Sequence, residues 1–382
     1  MAEAVDKARF FWSDYIVKTF TSAKYPQLVI DLGKLKQNLD ILSATVHGAG
    51  SSLAIVTKVL CADPVIVDFL IKSTAVDFLA DSRVDNIKSY AGKGKPSMLL
   101  RLPQACEIAD VVRYADISLN SEIETIRLLD KEAERQQKNH KVVLMIDLGD
   151  LREGLFFRDE KAILNSVGEI LKLKNIEFNG IGVNLSCYGA VIPEKENLSI
   201  LTGFMRKIEE QYKIKLAIVS GGNTSSYYLI EKGELPDGIN NLRLGESFVL
   251  GNDTSNSTHI KGTHTDAITL EAQIIEIQTK PSLPVGKTGV DAFGEKPVFE
   301  DRGMMLRAIL AIGKQDTDPA NMFPVDSTIE IIGSSSDHLL IDLTKSENRY
   351  KLGDIVSFRL NYGAVLRSFT SAYVGRHYIG QK

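Results

Sequence analysis

An α/β fold, a (β/α)8 barrel of the TIM type followed by a C-terminal all-β domain, is what this sequence predicts, on three observations. Short apolar runs alternate with helix-spaced segments from Leu28 to Glu246, which is the alternation of a parallel sheet. A polar, turn-prone connector, Asn252-Asp253-Thr254-Ser255-Asn256-Ser257, then breaks the texture. Beyond it come strand candidates with no helical pattern between them.

The first run, Leu28-Val29-Ile30-Asp31-Leu32, leads into Leu35, Leu39, Leu42 and Val46, a helical spacing. Ala54-Ile55-Val56-Thr57-Lys58 follows as a β-branched strand that ends abruptly in a lysine. Further strands are expected at Phe78-Leu79-Ala80, Met98-Leu99-Leu100, Ile117-Ser118-Leu119, Val142 to Ile146, Ile181-Gly182-Val183 and Ala217-Ile218-Val219. Ile163/Val167/Ile170 and Leu201/Met205/Ile208/Tyr212 mark helices between them, and Asn241 to Glu246 is the closing strand. In the second domain, strands are expected at Ile268 to Ile277, Met305 to Ile312, Thr328 to Ile332, Leu339 to Leu343 and Ile355 to Leu360. The expected divisions are thus an extension at 1–27, a barrel at 28–251 and a β domain at 252–382. In the extension, Phe10, Phe11, Trp12, Tyr15 and Ile16 suit one face of a short docking helix. Its scattered charges leave no apolar core for a secretory signal.

Composition narrows the function. The chain has 382 residues, 44% of them hydrophobic and 25% charged, with a net charge of -4, so it carries no basic footprint for nucleic acid or an acidic membrane. No stretch reaches the roughly 20 apolar residues of a membrane span. Three separated cysteines, Cys61, Cys106 and Cys187, point to a reducing cytoplasm rather than a disulfide framework. His259 and His264 lack the companions of a zinc site, so no metal is expected. The run from Arg135 to Lys141 reads as a solvated helix end.

In a barrel, polar residues that follow the strands at their C-terminal ends are the functional candidates. That rule selects Lys58, Arg101, Asn120, Asp147 with Arg152, Asn184, Thr224 and Arg243. A partly desolvated lysine amine can form a Schiff base with a carbonyl; a solvated lysine leaving a core strand is the plain alternative. Ser220-Gly221-Gly222-Asn223-Thr224-Ser225-Ser226 suits a phosphate, or is an ordinary capped turn. In Leu242-Arg243-Leu244-Gly245-Glu246, a buried arginine needs a partner such as a phosphate, a pyridine nitrogen or a barrel carboxylate.

Four motifs in register carry a resemblance. Ala54 to Pro64, Asp147-Leu148-Gly149-Asp150-Leu151-Arg152-Glu153-Gly154, Gly221 to Ser226 and Leu242 to Glu246 are similar to the alanine racemase family of fold type III pyridoxal-phosphate enzymes, in its ornithine racemase branch. The resemblance runs from about Tyr25 to Tyr373. It implies pyridoxal 5'-phosphate on Lys58, which also exchanges an α-proton. It implies that Arg152 meets the cofactor phenolate and the substrate carboxylate. It places Thr224, the backbone of Gly245 and Glu246, and Tyr362 at the phosphate, and Arg243 at the pyridine nitrogen. An arginine there makes the ring a weaker electron sink, which favours racemisation over transamination.

Three departures qualify it. Asn184 stands where the family stacks a histidine on the cofactor. Ala62 stands where it has a tyrosine just after the lysine. Gly313-Lys314-Gln315-Asp316-Thr317 stands where it has the Gly-Tyr-x-Asp-Gly that gives the opposite-face base, which makes Lys314 the candidate by position. The implied protein is a two-base amino-acid racemase, a head-to-tail homodimer whose β domain completes the neighbour's site and whose first strand pairs with the β domain. Basic substrates such as ornithine or lysine are expected, their distal ammonium facing Asp291, Asp316, Asp337 or Glu153. Alanine or serine racemisation, a decarboxylase or aldolase, and a non-catalytic cofactor-binding protein are the alternatives.

Overall fold

The structure, a computed structural model, describes residues 24–380, and the docking face expected on Phe10 to Ile16 lies outside them. The chain divides into two compact units. One is Ile30–Ile268 with Asn361–Thr370 and residues 378–380; the other comprises residues 24–29, Thr269–Leu360 and Ser371–His377.

The first unit runs α1 (Leu32–Gly48), β2 (Ser52–Val56), α2 (Pro64–Lys72), β3 (Phe78–Asp81), α3 (Val84–Lys88), β4 (Ser97–Leu99), α4 (Ile108–Tyr114), β5 (Ile117–Asn120), α5 (Ile123–Arg135), β6 (His140–Asp147), a short β7 (Leu155–Phe156), α6 (Glu160–Ile170), β8 (Ile176–Gly182), α7 (Lys195–Tyr212), β9 (Ile218–Ser220), α8 (Tyr227–Glu231), β10 (Asn241–Leu244) and α9 (Glu246–Leu250). β2, β3, β4, β5, β6, β8, β9 and β10 pair in parallel, and β10 returns to β2, so the sheet closes on itself. Closure follows from the alternation along each strand. Ala54, Val56, Ala80, Met98, Ile117, Leu119, Val143, Met145 and Ile218 fill the interior, while the intervening residues meet the helices. Strands buried on both faces read as unbroken apolar runs, which is why they stood out. Lys58 follows the end of β2 and lines the same cavity as Val56.

The run from Arg135 to Lys141 is only partly a helix end. α5 stops at Arg135, and His140 already begins β6, buried, with its ring bonded to Ser118 Oγ at 2.8 Å. The polar connector also differs from expectation. It forms a small hairpin, β11 (Asn252–Asp253) with β12 (Thr258–His259), and residues 252–268 belong to the barrel unit. The fully buried Asn38 holds that stretch against α1: its amide donates to Phe248 O and His264 O, and its oxygen accepts from His264 N.

The second unit is an antiparallel sheet in the order β15 (Met322–Pro324), β18 (Ile355–Leu360), β13 (Ile268–Pro281), β14 (Met304–Leu310), β17 (Leu339–Asp342), β16 (Glu330–Ser334). β1 (Gln27–Asp31) joins this sheet through β13 and β19 (Gly375–Ile379), as the resemblance implied. Two strands, β15 and β19, and one helix, α10 (Tyr362–Thr370), were not expected. The helix buries Ala364, Val365, Ser368 and Phe369, a helical stripe short enough to pass unseen behind β18. Among the described residues no helix is long and apolar enough to cross a membrane.

Candidate active site

A cavity of about 750 Å³ opens at the C-terminal ends of the barrel strands. Lys58 is half-buried in its wall, at the start of a single 3-10 turn that runs to Leu60 directly after β2. Val56 and Val59 form the apolar floor around it, and the residue before it, Thr57, is fully buried.

Arg243, inward on β10, is 3% exposed, so its charge is almost wholly out of water. It donates to Ser220 Oγ and, at 2.8 Å, to Val183 O. Burial pulls its guanidinium down to about 10; the charges of Glu153 and Cys187 work against that fall, and Arg152 deepens it. Ser220 in turn donates to Asn241 Oδ1 at 2.6 Å. Among the described residues no carboxylate is in hydrogen-bond or ion-pair contact with Arg243, whose side-chain partners are Ser220 and Val183. Beside it, the Ser220 to Ser226 loop turns at Gly222, whose φ of +116 is a conformation L side chains rarely adopt. Thr224 is buried there; its hydroxyl lies 3.2 Å from Ser247 Oγ and 3.4 Å from the backbone N–H of both Gly245 and Ser247. Contacts that long are weak, so two N–H groups and two hydroxyls converge with donor capacity to spare, as an anionic phosphate requires.

Opposite stands the loop after β6. Asp147 accepts from Gly149 N and Leu151 N, and Gly154 packs so closely that an added Cβ would sit 2.5 Å from Asp147 N. This loop presents Arg152, bound through Nε to Glu153. The Asn184 amide lies against both Arg152 and Asn223; with its oxygen turned to Arg152 it accepts from that guanidinium. The buried Asp150 ties this loop to the next, accepting from the backbone N–H of Ser186, Tyr188 and Val191. Tyr362, at the start of α10, and Glu246 complete the wall. Burial pushes the Tyr362 phenol up to about 12, with Glu246 adding to it. Burial also raises the Glu246 carboxyl, and Lys58 pulls it back.

The cavity thus gathers Lys58, Arg152, Asn184, Thr224, Arg243, Gly245, Glu246 and Tyr362 from positions far apart in sequence. Arg101 also lines it, held by Glu107 at 2.8 Å, whereas Asn120 turns away to Ser118. Ser82, Cys187, Asn223 and Thr254 line it without having been singled out. Ser82 had a signal, since it lies two residues beyond the inward Ala80. Lys314 belongs to the β unit, where its Nζ lies 3.9 Å from the centre of the Phe293 ring. Asp291, Asp316 and Asp337 belong there too; Asp291 accepts from Phe293 N and Glu295 N, and Asp316 from Gly313 N and Ser371 Oγ. Of the four carboxylates expected near a distal ammonium, Glu153 lines the cavity.

A half-buried amine, a cluster of phosphate donors and a buried guanidinium in one barrel mouth fit pyridoxal phosphate and define the class of barrel enzymes that hold a carbonyl cofactor on a lysine. The profile of the family described as Alanine racemase, N-terminal domain, matches residues 30–252, and the chain belongs to that family. It is 50% identical over 350 residues to the ornithine racemase of Acetoanaerobium sticklandii, covering 92% of this chain and 98% of that protein. It is 39% identical over 356 residues to the lysine racemase of Thermotoga maritima, covering 93% and 98%. An alanine racemase structure from Clostridium difficile 630 shares the fold with a TM-score of 0.73 at 19% identity, over 94% of this chain and 96% of that one.

Proposed function

We propose that this protein is a pyridoxal-phosphate-dependent amino-acid racemase acting on basic amino acids such as ornithine and lysine, and that it works in the cytoplasm. The observation that carries the reading is Lys58 in the barrel mouth beside Arg243 and the Thr224 cluster; the two racemase relatives, alike along almost their whole length, support the substrate class. Bound pyridoxal phosphate supplies the electron sink that makes the substrate's α C–H acidic. Lys58 holds the cofactor and carries a proton at the α-carbon from one face. Thr224 Oγ1 with the Gly245 and Ser247 N–H groups, and Tyr362, bind the phosphate. Arg152 binds the substrate carboxylate, a planar fork matched to a planar acceptor, and Asn184 steadies Arg152. Arg243 would hold the ring-nitrogen side of the cofactor with a cation, which would disfavour protonation there and make the sink shallower.

Racemisation needs a second acid/base group, because one fixed amine does not reach both faces of a planar carbon. We assign that role to Lys314 of a second copy in a head-to-tail homodimer. Replacing Lys314 by alanine and following α-hydrogen exchange in deuterated water from each enantiomer tests it. Exchange kept for one enantiomer and lost for the other supports the role; equal loss from both removes it.

The reading as a whole is tested by incubating the protein and pyridoxal phosphate with L-ornithine, L-lysine or L-alanine and separating the enantiomers. D-ornithine or D-lysine should form with kcat/KM well above that for alanine, since a carboxylate left unpaired by the shorter substrate costs several kcal/mol. Release of carbon dioxide or an aldehyde instead of an enantiomer would identify a decarboxylase or aldolase.

A further inference from the structure

Behind Lys58, on the helix-facing side of β2 and β3, lies a carboxylate to which the racemase reading gives no task. Asp81 is fully buried. The parallel register sets Val56 beside Ala80, so the next residues, Thr57 and Asp81, are also neighbours. Thr57 Oγ1 donates to Asp81 Oδ2 at 2.6 Å, and Asp81 Oδ1 accepts from Arg83 N at 2.9 Å and Asn86 Nδ2 at 3.1 Å. Thr57 has no polar group to spare. Its N–H donates to Ala80 O at 2.8 Å, and its carbonyl accepts from Leu60 N and Ala62 N.

The turn that starts from this anchor is strained. Cys61 and Ala62 are successive non-glycine residues with φ of 50 and 49. Its far end is fixed by Asp63, which accepts from Val65 N and Ile66 N and from Tyr378 Oη at 2.6 Å. A turn held in an unfavourable conformation stays in place only if both ends are over-determined. Thr57 is the near end, and Lys58 is the first residue beyond it.

We infer that Asp81 is a positioning residue of the reaction, fixing through Thr57 the backbone from which Lys58 reaches into the cavity. The inference rests on the reading of Lys58 as the cofactor-bearing lysine. The charged and titratable groups facing Asp81 are Lys58 beyond β2, Tyr90 beyond α3 and Tyr362 on α10. Burial pushes the Asp81 carboxyl up to about 6, against the hydrogen bonds from Thr57, Asn86 and Ser82 N and the charge of Lys58. Around that pH the group changes from an anion that only accepts to an acid that also donates, and its bond with the Thr57 hydroxyl must rearrange.

The test uses the full chain freed of cofactor, as wild type, Asp81→Asn and Thr57→Val. Cofactor uptake is followed by visible absorbance from about pH 5 to about pH 8, with kcat and KM for ornithine on the reloaded proteins. Wild-type uptake should slow as the pH falls through about 6, and D81N should lose that limb. Both variants should lose kcat, on the order of a hundredfold for a displaced amine, with KM nearly unchanged. Retention of the limb in D81N, or of wild-type kcat in either folded variant, overturns the inference. If D81N does not fold, T57V decides on kcat alone. Borohydride trapping with peptide mapping separates the two readings: an adduct on a lysine other than Lys58 overturns the site itself, whereas an adduct on Lys58 with unaltered kinetics overturns only the part given to Asp81.

Discussion

The barrel has two mouths, and they differ in chemistry far more than in size. At the N-terminal ends of the strands a cavity of about 880 Å³ is lined by Arg113, Lys138, Lys141, Asn139 and Asn179; the C-terminal one is about 750 Å³. Both carry several cations. At the N-terminal mouth these lie near water and satisfy one another locally: Lys138 donates to Arg113 O at 3.1 Å, Arg113 lies over the Tyr114 ring, and Lys141 sits 3.6 Å from Glu177. At the C-terminal mouth Arg243 is desolvated, with no carboxylate among the described residues in contact, and Lys58, Arg152 and Glu246 line the same cavity. Volume therefore does not mark the reactive end. Charge held out of water does, because only there is an interaction with a ligand worth more than the one with solvent that it replaces.

Substitution of Lys58 by alanine should break the comparison most severely. Racemisation should fall by about three orders of magnitude or more, and reduction with borohydride should leave no trapped cofactor at that position. A K58A protein that still racemises within tenfold of wild type would mean that the two mouths have been ranked wrongly.

Arg243→Gln should come next. It removes the charge and weakens the bonds to Ser220 and Val183, each worth about 1.5–3 kcal/mol for a charged donor, so kcat/KM and cofactor retention should drop by about a hundredfold. Spectra and rates like those of wild type would show that the buried guanidinium is only structural.

His140, at the opposite end of the barrel, sharpens the contrast by being buried without being part of the site. Burial holds its imidazole down at about 4. The unfolded chain, with an ordinary value near 6.5, binds the proton first, so the stability due to the neutral ring is complete above about pH 6.5 and is lost as the pH falls toward 4. His140→Gln should remove this dependence, so that between pH 7 and pH 4 the wild type loses about 3 kcal/mol more stability than the variant, measured by denaturant unfolding. Racemisation at neutral pH should not change. Equal acid slopes would place the ring in contact with water.

The smallest effect is expected for Lys138→Ala and Lys141→Ala. Each should alter stability by less than about 0.5 kcal/mol and leave kcat/KM within a factor of about two. A larger loss of rate would assign a function to the N-terminal mouth.

Much of the barrel was legible because its strands are buried on both faces, which writes them as apolar runs whose ends are easy to see. Lys58 and Arg243 followed from that, as charged residues where such runs end or close. Tyr362 was reached only through the resemblance, since α10 is nine residues long and follows β18 directly in the chain, which leaves too short a stripe to read. Asp81 was not legible at all: an aspartate after Phe78-Leu79-Ala80 reads as an ordinary solvated strand end. Asp150 and Asn223 lay inside quoted motifs, but their contacts were not legible, because what matters about them is which backbone groups of another loop they meet.

By itself the sequence determined the order of most strands and helices, the lysine at the end of the run Ala54-Ile55-Val56-Thr57, and the separation of a barrel from an all-β region, because each depends on neighbours within a few residues. The tertiary structure decided the rest: that residues 252–268 pack on α1 through Asn38, and that Asp81 stands behind Thr57. These depend on the register between strands and on which amide or carboxylate is taken out of water beside which donor, and such pairings are set only when the chain closes on itself.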